Sequence, residues 1–187
     1  ERLVDLYRNL GLGGVGLIVT GIVSVMAKAH SPHRSMRIDG DQFINGLKRI
    51  STAVHELNNG CRIMLQLHHP GRQIIKPEDA PTLFPFLSPA VLTALQRAAQ
   101  GSQPEQAQRQ EPSSFPDPVA PSALPDTLFG RTPRELSLEE IEEIIEAFAG
   151  GIIRAQQAGF DGVQLHGAHG WLLSSFLSPH TNKREDR

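Results

Sequence analysis

The chain has 187 residues, 39% of them hydrophobic, and a formal charge of −2 from 18 Lys and Arg against 20 Asp and Glu, values that suit one soluble globular domain. It holds no single-sign charge run to serve as a nucleic-acid or membrane footprint, and no apolar run near the roughly 18–20 residues that cross a bilayer. The charged opening ERLVDLYRN lacks the apolar core of a secretory signal, and a single cysteine, Cys61, excludes a disulfide framework within the chain. A soluble cytoplasmic protein is therefore expected, with Cys61 as a small buried hydrophobe.

In chain order, a helical pattern passes three times through a glycine into a short apolar strand, the rhythm of α/β architecture with a parallel sheet. LVDLYRNLG leads into a strand at residues 15–20. Gly11, Gly13, Gly14 and Gly16 precede that strand, whereas a phosphate-binding loop needs glycines between a strand and a helix; they mark a helix-to-strand turn. In the second unit Asp41 is placed to cap a helix bearing Phe43, Ile44, Leu47, Ile50, Val54 and Leu57, which ends near Gly60. Residues 62–67 follow as its strand.

A long stretch, 76–131, holds most of the chain's 14 prolines and reads as loop, with one short helix at 89–100. The third helix has the clearest start: Ser137 and Glu140 form a capping box, and Leu136 with Ile141 has the spacing of a hydrophobic staple. Ile141, Ile144, Ile145, Phe148 and Ile152 make its apolar stripe, the Gly150 and Gly151 pair weakens its second half, and Gly159 ends it. Residues 160–166 then read as a buried strand.

In parallel α/β folds the loops after the strand carboxyl ends surround one mouth and carry the chemistry. The first strand is expected to end in Thr20, Gly21 and Ile22, the second in Gln66, His68, His69, Pro70, Gly71 and Arg72, and the third in His166, His169 and Trp171. His166 and His169 have three readings at this point: structural histidines, metal ligands, or N–H donors converging on one oxygen where negative charge develops. His68 and His69 are adjacent and face opposite ways on a strand, so at most one points inward.

GFDGVQLHGAHGWLLSSFLSP, followed by Asn182, Arg184 and Asp186, resembles the signature of the old yellow enzyme family. QLHHPGR at 66–72 resembles that family's third-strand motif, GLIVTG at 16–21 its second, and PSALPDTLFGRTPRELSLEEIEEIIEAF its approach to the fourth. The resemblance implies part of a (β/α)8 TIM barrel, about strands two to four with their helices, carrying FMN and reduced by NADPH or NADH in ping-pong turnover. It implies that Gln66 hydrogen-bonds the pyrimidine edge of the flavin, and that the backbone around Ile22 and the His166 side chain lie beside the ring. By the same implication His166 and His169, with Trp171 nearby, hold the carbonyl or nitro oxygen of an activated alkene that receives hydride from flavin N5.

Two positions depart from the family pattern. Trp171 stands where the family commonly has the tyrosine that protonates the α-carbon, and an indole N–H donates a hydrogen bond but no usable proton near neutral pH. Gly21 replaces an acidic residue, and the loop from Ile75 to about Phe115 is longer than usual. The alternatives to a small-molecule reductase fragment are an inactive remnant that survives by pairing with a partner, and a metal-dependent hydrolase on a similar barrel; the oligomeric state is open.

A chain opening on Glu and matching three strands of eight is expected to be one piece of a longer barrel, because three strands cannot close such a barrel and an open parallel sheet leaves unpaired edges and half-covered apolar faces. After reconstitution with FMN and desalting, the 187-residue chain alone is expected to lose the flavin absorbance bands. A yellow protein that keeps them contradicts this expectation.

Overall fold

The computed structural model of the chain describes residues 1–27, 36–74, 88, 117–127 and 130–186. The helix expected at 89–100 and most of the proline-rich stretch lie outside the described residues. Four strands, β1 (Leu17–Ser24), β2 (Met36–Arg37), β3 (Arg62–His68) and β6 (Gly162–Leu165), form an all-parallel sheet in the order β2-β1-β3-β6. A separate parallel pair, β4 (Val119–Ala120) and β5 (Arg134–Glu135), lies in the connection to the third long helix.

The pleat of β3 organises the layers. Ile63, Leu65 and Leu67 have no exposed surface, and successive side chains of a strand point to opposite faces. The buried face joins Val23 and Val25 of the β1 segment, Leu47, Ile50 and Val54 of α2 (Ile44–His55), and Ile144 and Phe148 of α3 (Leu138–Gln157) in one hydrophobic cluster. Burying a Leu or Ile side chain of this kind contributes about 1.5–3 kcal/mol. The other face of the sheet carries Leu17 and Val19, which are exposed, and Met64 and Gln66, which are half-buried. Exposed leucines on α1 (Arg2–Leu12) and isoleucines on α3 add to the uncovered apolar surface, as expected of a sheet with half-covered faces.

The capping box of α3 is present in full: Ser137 Oγ accepts the Glu140 N–H at 3.2 Å and a Glu140 carboxylate oxygen accepts the Ser137 N–H at 2.9 Å. Leu136 is buried and Ile141 packs against the same cluster. The buried stripe differs from the one read in the sequence. Ile144, Phe148, Gly151 and Ala155 face inward, whereas Ile145 and Ile152 are exposed. The reason is close helix–sheet approach at Gly151, where a Cβ would lie 3.3 Å from Val25 and 3.5 Å from Ile38 and Leu67. The helix turns its small residues to the sheet there, and bulkier neighbours are directed away. Gly159, at φ +76°, turns the chain out of the helix.

Three other expectations are corrected. Asp41 does not cap α2; it lies in a 3₁₀ turn, Asp41–Phe43, and its carboxylate accepts from Arg154 Nε at 2.7 Å. The first strand does not stop near Thr20 to Ile22 but continues to Ser24 through a register shift between Val19 and Ile22. The strand expected at 160–166 is shorter and less buried: β6 pairs only with β3, at the sheet edge, and Leu165 is 50% exposed. Cys61 is buried, as expected. Among the described residues no helix is long and apolar enough to cross a membrane.

Asp161 fastens the entrance of β6. Its carboxylate accepts the Ile63 N–H at 2.8 Å, the Arg62 guanidinium at 2.8 Å, and pairs with His55 Nε2 at 2.8 Å. Desolvation acts to raise its pKa, but the Ile63 N–H, His55 and Arg62 together outweigh it and hold the pKa at about 2, below the ordinary 3.8. A depressed carboxyl pKa stabilises the fold above the unfolded-state value and stops doing so as pH falls through the folded one. In urea titrations the stability gap between the unsubstituted chain and Asp161→Asn should be full above about pH 5, shrink between about pH 4 and 2, and vanish below that. A gap independent of pH over that range would show that the carboxylate charge contributes nothing.

Candidate active site

The register of the sheet places Ile22, Gln66 and Gln164 in one row, with Val23, Leu67 and Leu165 in the next and Ser24 beside His68. Gln66 and Gln164 are on the same face, and the Gln66 amide donates to the Gln164 side-chain oxygen. Beyond the row, the His166 N–H donates to the Leu67 carbonyl at 2.9 Å, continuing the pairing and carrying the His166 ring to the end of β3. The β1 irregularity leaves the Gln66 N–H facing Thr20, whose buried hydroxyl accepts it at 3.1 Å. The neighbouring Gly21 N–H is held by the hydroxyl of buried Tyr7 at 2.9 Å. Thr20 and Tyr7 therefore fix the backbone just before Ile22, a role the residue types alone did not reveal.

His166 and His169 come together, with ring centroids 5.2 Å apart and planes at 86°. Trp171 lies 6.3 Å from His166. Thus the imidazole pair and the indole form one group at the carboxyl ends of β3 and β6, with Gln66 and Ile22 on the adjoining row. Burial first, and repulsion by His169 second, lower the pKa of His166, which favours the neutral ring with one N–H donor at neutral pH. His169 has φ +59°, a left-handed conformation uncommon for a residue with a Cβ. That backbone turn directs the second imidazole back beside the first. Among the described residues no group of three or more His, Cys, Asp or Glu is arranged to hold a metal ion, so the metal-ligand reading of the pair gains no third ligand.

His68 joins this group as well. The sequence indicated that at most one of His68 and His69 points inward, and the structure gives that position to His68. Its ring lies 5.4 Å from His166 and 4.7 Å from Trp171. The available signal was parity: His68 is two residues after Gln66, so the pleat puts both on one face. His69 is buried elsewhere, its Nδ1 accepting the Gly71 N–H at 3.1 Å. Burial pushes the pKa of His69 down to about 4, in keeping with a neutral ring whose Nδ1 is an acceptor.

The loops that hold the group are tied together by main-chain contacts. The Leu172 N–H donates to the His69 carbonyl at 3.2 Å, and fully buried Leu172 starts α4 (Leu172–Leu177) directly after Trp171. Asn182, Arg184 and Asp186 have structural work in this frame. The Asn182 side chain accepts the Arg184 N–H and donates to the Phe176 carbonyl. The Arg184 guanidinium, mostly buried, donates to the carbonyls of Pro121 and Leu136 and pairs with Asp186. Arg72 forms a further ion pair with Asp126 at 2.7 Å, the Asp126 side chain being 1% exposed.

Residues 1–187 match the model of the NADH:flavin oxidoreductase / NADH oxidase family. The chain is 36% identical, over 188 residues, to a NADH oxidase of Thermoanaerobacter brockii, covering all of this chain and 23% of that protein. It is 32% identical to a NADPH dehydrogenase of a Geobacillus species, covering 96% of this chain and 41% of the relative. Among solved structures, an old yellow enzyme homologue from Zymomonas mobilis superposes with a TM-score of 0.68 at 25% identity, over 100% of this chain and 44% of that one. The parallel sheet with its helices is thus part of a TIM barrel, and the chain spans less than half the length of each of these relatives.

Gly71 makes a close backbone approach between the two site loops. It has φ +61°, and a Cβ there would lie 3.0 Å from the Leu172 Cα and 3.1 Å from its backbone nitrogen. A left-handed residue with a side chain costs about 1–2 kcal/mol, and the backbone clash adds to it. Gly71→Ala should lower stability by roughly 2 kcal/mol or more and alter the emission of Trp171. A urea midpoint and emission spectrum identical to those of the unsubstituted chain would contradict the packing described.

Proposed function

The chain belongs to the NADH:flavin oxidoreductase / NADH oxidase family, and from that premise we propose that it supplies the acceptor-binding side of an FMN-dependent oxidoreductase reduced by NADPH or NADH. The acceptor class is a small electron-poor alkene conjugated to a carbonyl or nitro group. The observation that carries this reading is the meeting of Gln66, His166 and His169 at the carboxyl ends of adjoining parallel strands.

The residues present fit a flavin ring. Gln66 offers a side-chain amide with both donor and acceptor atoms, exposed enough to exchange its Gln164 partner for another. Beside it the main chain around Ile22 is fixed by Thr20 and Tyr7. Gln66, the Ile22 backbone and His166 would hold the ring. When bound, FMN supplies a hydride donor at N5. His166 and His169 bind the carbonyl or nitro oxygen of the acceptor through ring N–H groups and stabilise the negative charge that grows on it during reduction. Donors fixed in advance by the fold need no reorganisation at that moment, and removal of one such donor typically costs about 10²–10³ in rate.

Trp171 sets a limit on the second half of the reaction. Its indole N–H can donate a hydrogen bond to the acceptor or to water, and its conjugate base is inaccessible near neutral pH. The proton for the α-carbon therefore comes from water or from another group, and turnover with simple alkenes is expected to be slow at that step.

The test uses the full-length, FMN-loaded protein. Replacing both His166 and His169 with Ala should abolish the charge-transfer absorbance produced by a phenol in the protein that retains FMN. Undiminished phenol binding in the double variant would remove the pair from the acceptor site.

A further inference from the structure

His68 is 3% exposed, and neither of its ring nitrogens has a hydrogen-bond partner among the described residues. Each buried polar group left unpaired costs about 1–3 kcal/mol. An aliphatic side chain would fill comparable space without that cost, so filling space alone does not account for an aromatic ring here. Burial, with added repulsion from His166 and then His69, pushes its pKa down to about 3, and the ring is uncharged at neutral pH.

Its contacts are aromatic and directional. The ring meets Trp171 edge-on, with centroids 4.7 Å apart and planes at 88°, and meets His166 tilted by 43° at 5.4 Å. Both separations fall in the range of about 4.5–7 Å in which aromatic pairs attract through their edges and faces. Trp171 and His166 are themselves 6.3 Å apart, so His68 is nearer to each than they are to one another. An N–H edge against a π face also recovers part of the cost of its missing hydrogen bonds.

We propose that His68 is a positioning residue of the acceptor pocket, a wedge that holds the indole of Trp171 and the imidazole of His166 at the angles they present to the acceptor. It acts through those two rings and does not touch the reacting atoms. The inference rests on the proposed function only for what the pocket receives. The ring arrangement itself requires no flavin.

Trp171 is the only tryptophan in the chain, so intrinsic emission reports this contact directly. In the full chain, His68→Leu and His68→Gln, which remove the ring, should raise acrylamide quenching of Trp171 by about twofold or more as the edge contact is lost. They should also shift the His166 ring-proton resonance, with far-ultraviolet circular dichroism unchanged. His68→Phe, which keeps an edge-on ring, should restore both signals. The proposal is overturned if a folded ring-less variant keeps native quenching and the native His166 resonance, or if the Phe variant restores neither. Nuclear Overhauser contacts from the His68 ring to both Trp171 and His166 are expected in the unsubstituted chain, and their absence overturns it whether or not the variants fold. Failure of the donor-pair reading has a different sign, phenol binding that survives loss of His166 and His169.

Discussion

The alternation of β3 is the constraint on which the rest depends. Ile63, Leu65 and Leu67 must be covered by helices, and the pleat then commits Met64, Gln66 and His68 to the opposite face. A slip of one residue would expose three large apolar side chains and bury the polar set among the helices, so the register is strongly specified. Because β1 and β6 pair in parallel with β3, their carboxyl ends fall in line with its own. The site is a consequence of core packing. No separate interaction has to bring Ile22, Gln66 and His166 together.

Around that core, stability and function are divided between the two ends of the strands. At the amino end, Asp161 draws together β6, β3 and α2 through three polar contacts of its carboxylate, with the Ile63 N–H, Arg62 and His55. At the carboxyl end the residues are less comfortable: His169 has a left-handed backbone and His68 has buried nitrogens without partners among the described residues. Such strain persists only where the surroundings over-determine it. Here they do so through the Leu172 to His69 main-chain bond, the glycine contact at Gly71, and the Arg184 clamp onto the segment before α3.

Much of this was legible in the residues. Ser137 and Glu140 announced the start of α3, the glycines after α1 announced a turn, and the polar residues at 66–72 and at His166, His169 and Trp171 marked the ends of two strands. What was not legible depended on tertiary approach. The stripe of α3 was misread because a helix that comes close to a sheet turns Gly151 and Ala155 inward, and a count of large apolar residues gives glycine no weight. Asp41 was read as a cap because cap preferences are local, whereas its partner Arg154 is distant in sequence. The β1 irregularity and its Thr20 and Tyr7 supports had no signal in a pattern of alternating residues. The family resemblance gave roles to Asn182, Arg184 and Asp186 only as members of a signature; the hydrogen bonds show them holding the loop in place.

The Trp171 position gives the chemistry its character. Under the proposed function, indole in place of a phenol leaves donors for an oxygen but no side-chain acid at that point, and binding and hydride acceptance would be separated from proton delivery. The central claim is that Gln66 addresses the flavin while His166 and His169 address the acceptor, all from one face of the sheet. A crystal structure of the full-length protein with FMN and a bound phenol tests it most directly. The account predicts the phenol oxygen within about 2.7–3.2 Å of a ring nitrogen of both histidines, and the Gln66 amide at the polar edge of the flavin. A phenol bound away from the imidazole pair, or a flavin that leaves Gln66 paired only with Gln164, would contradict it.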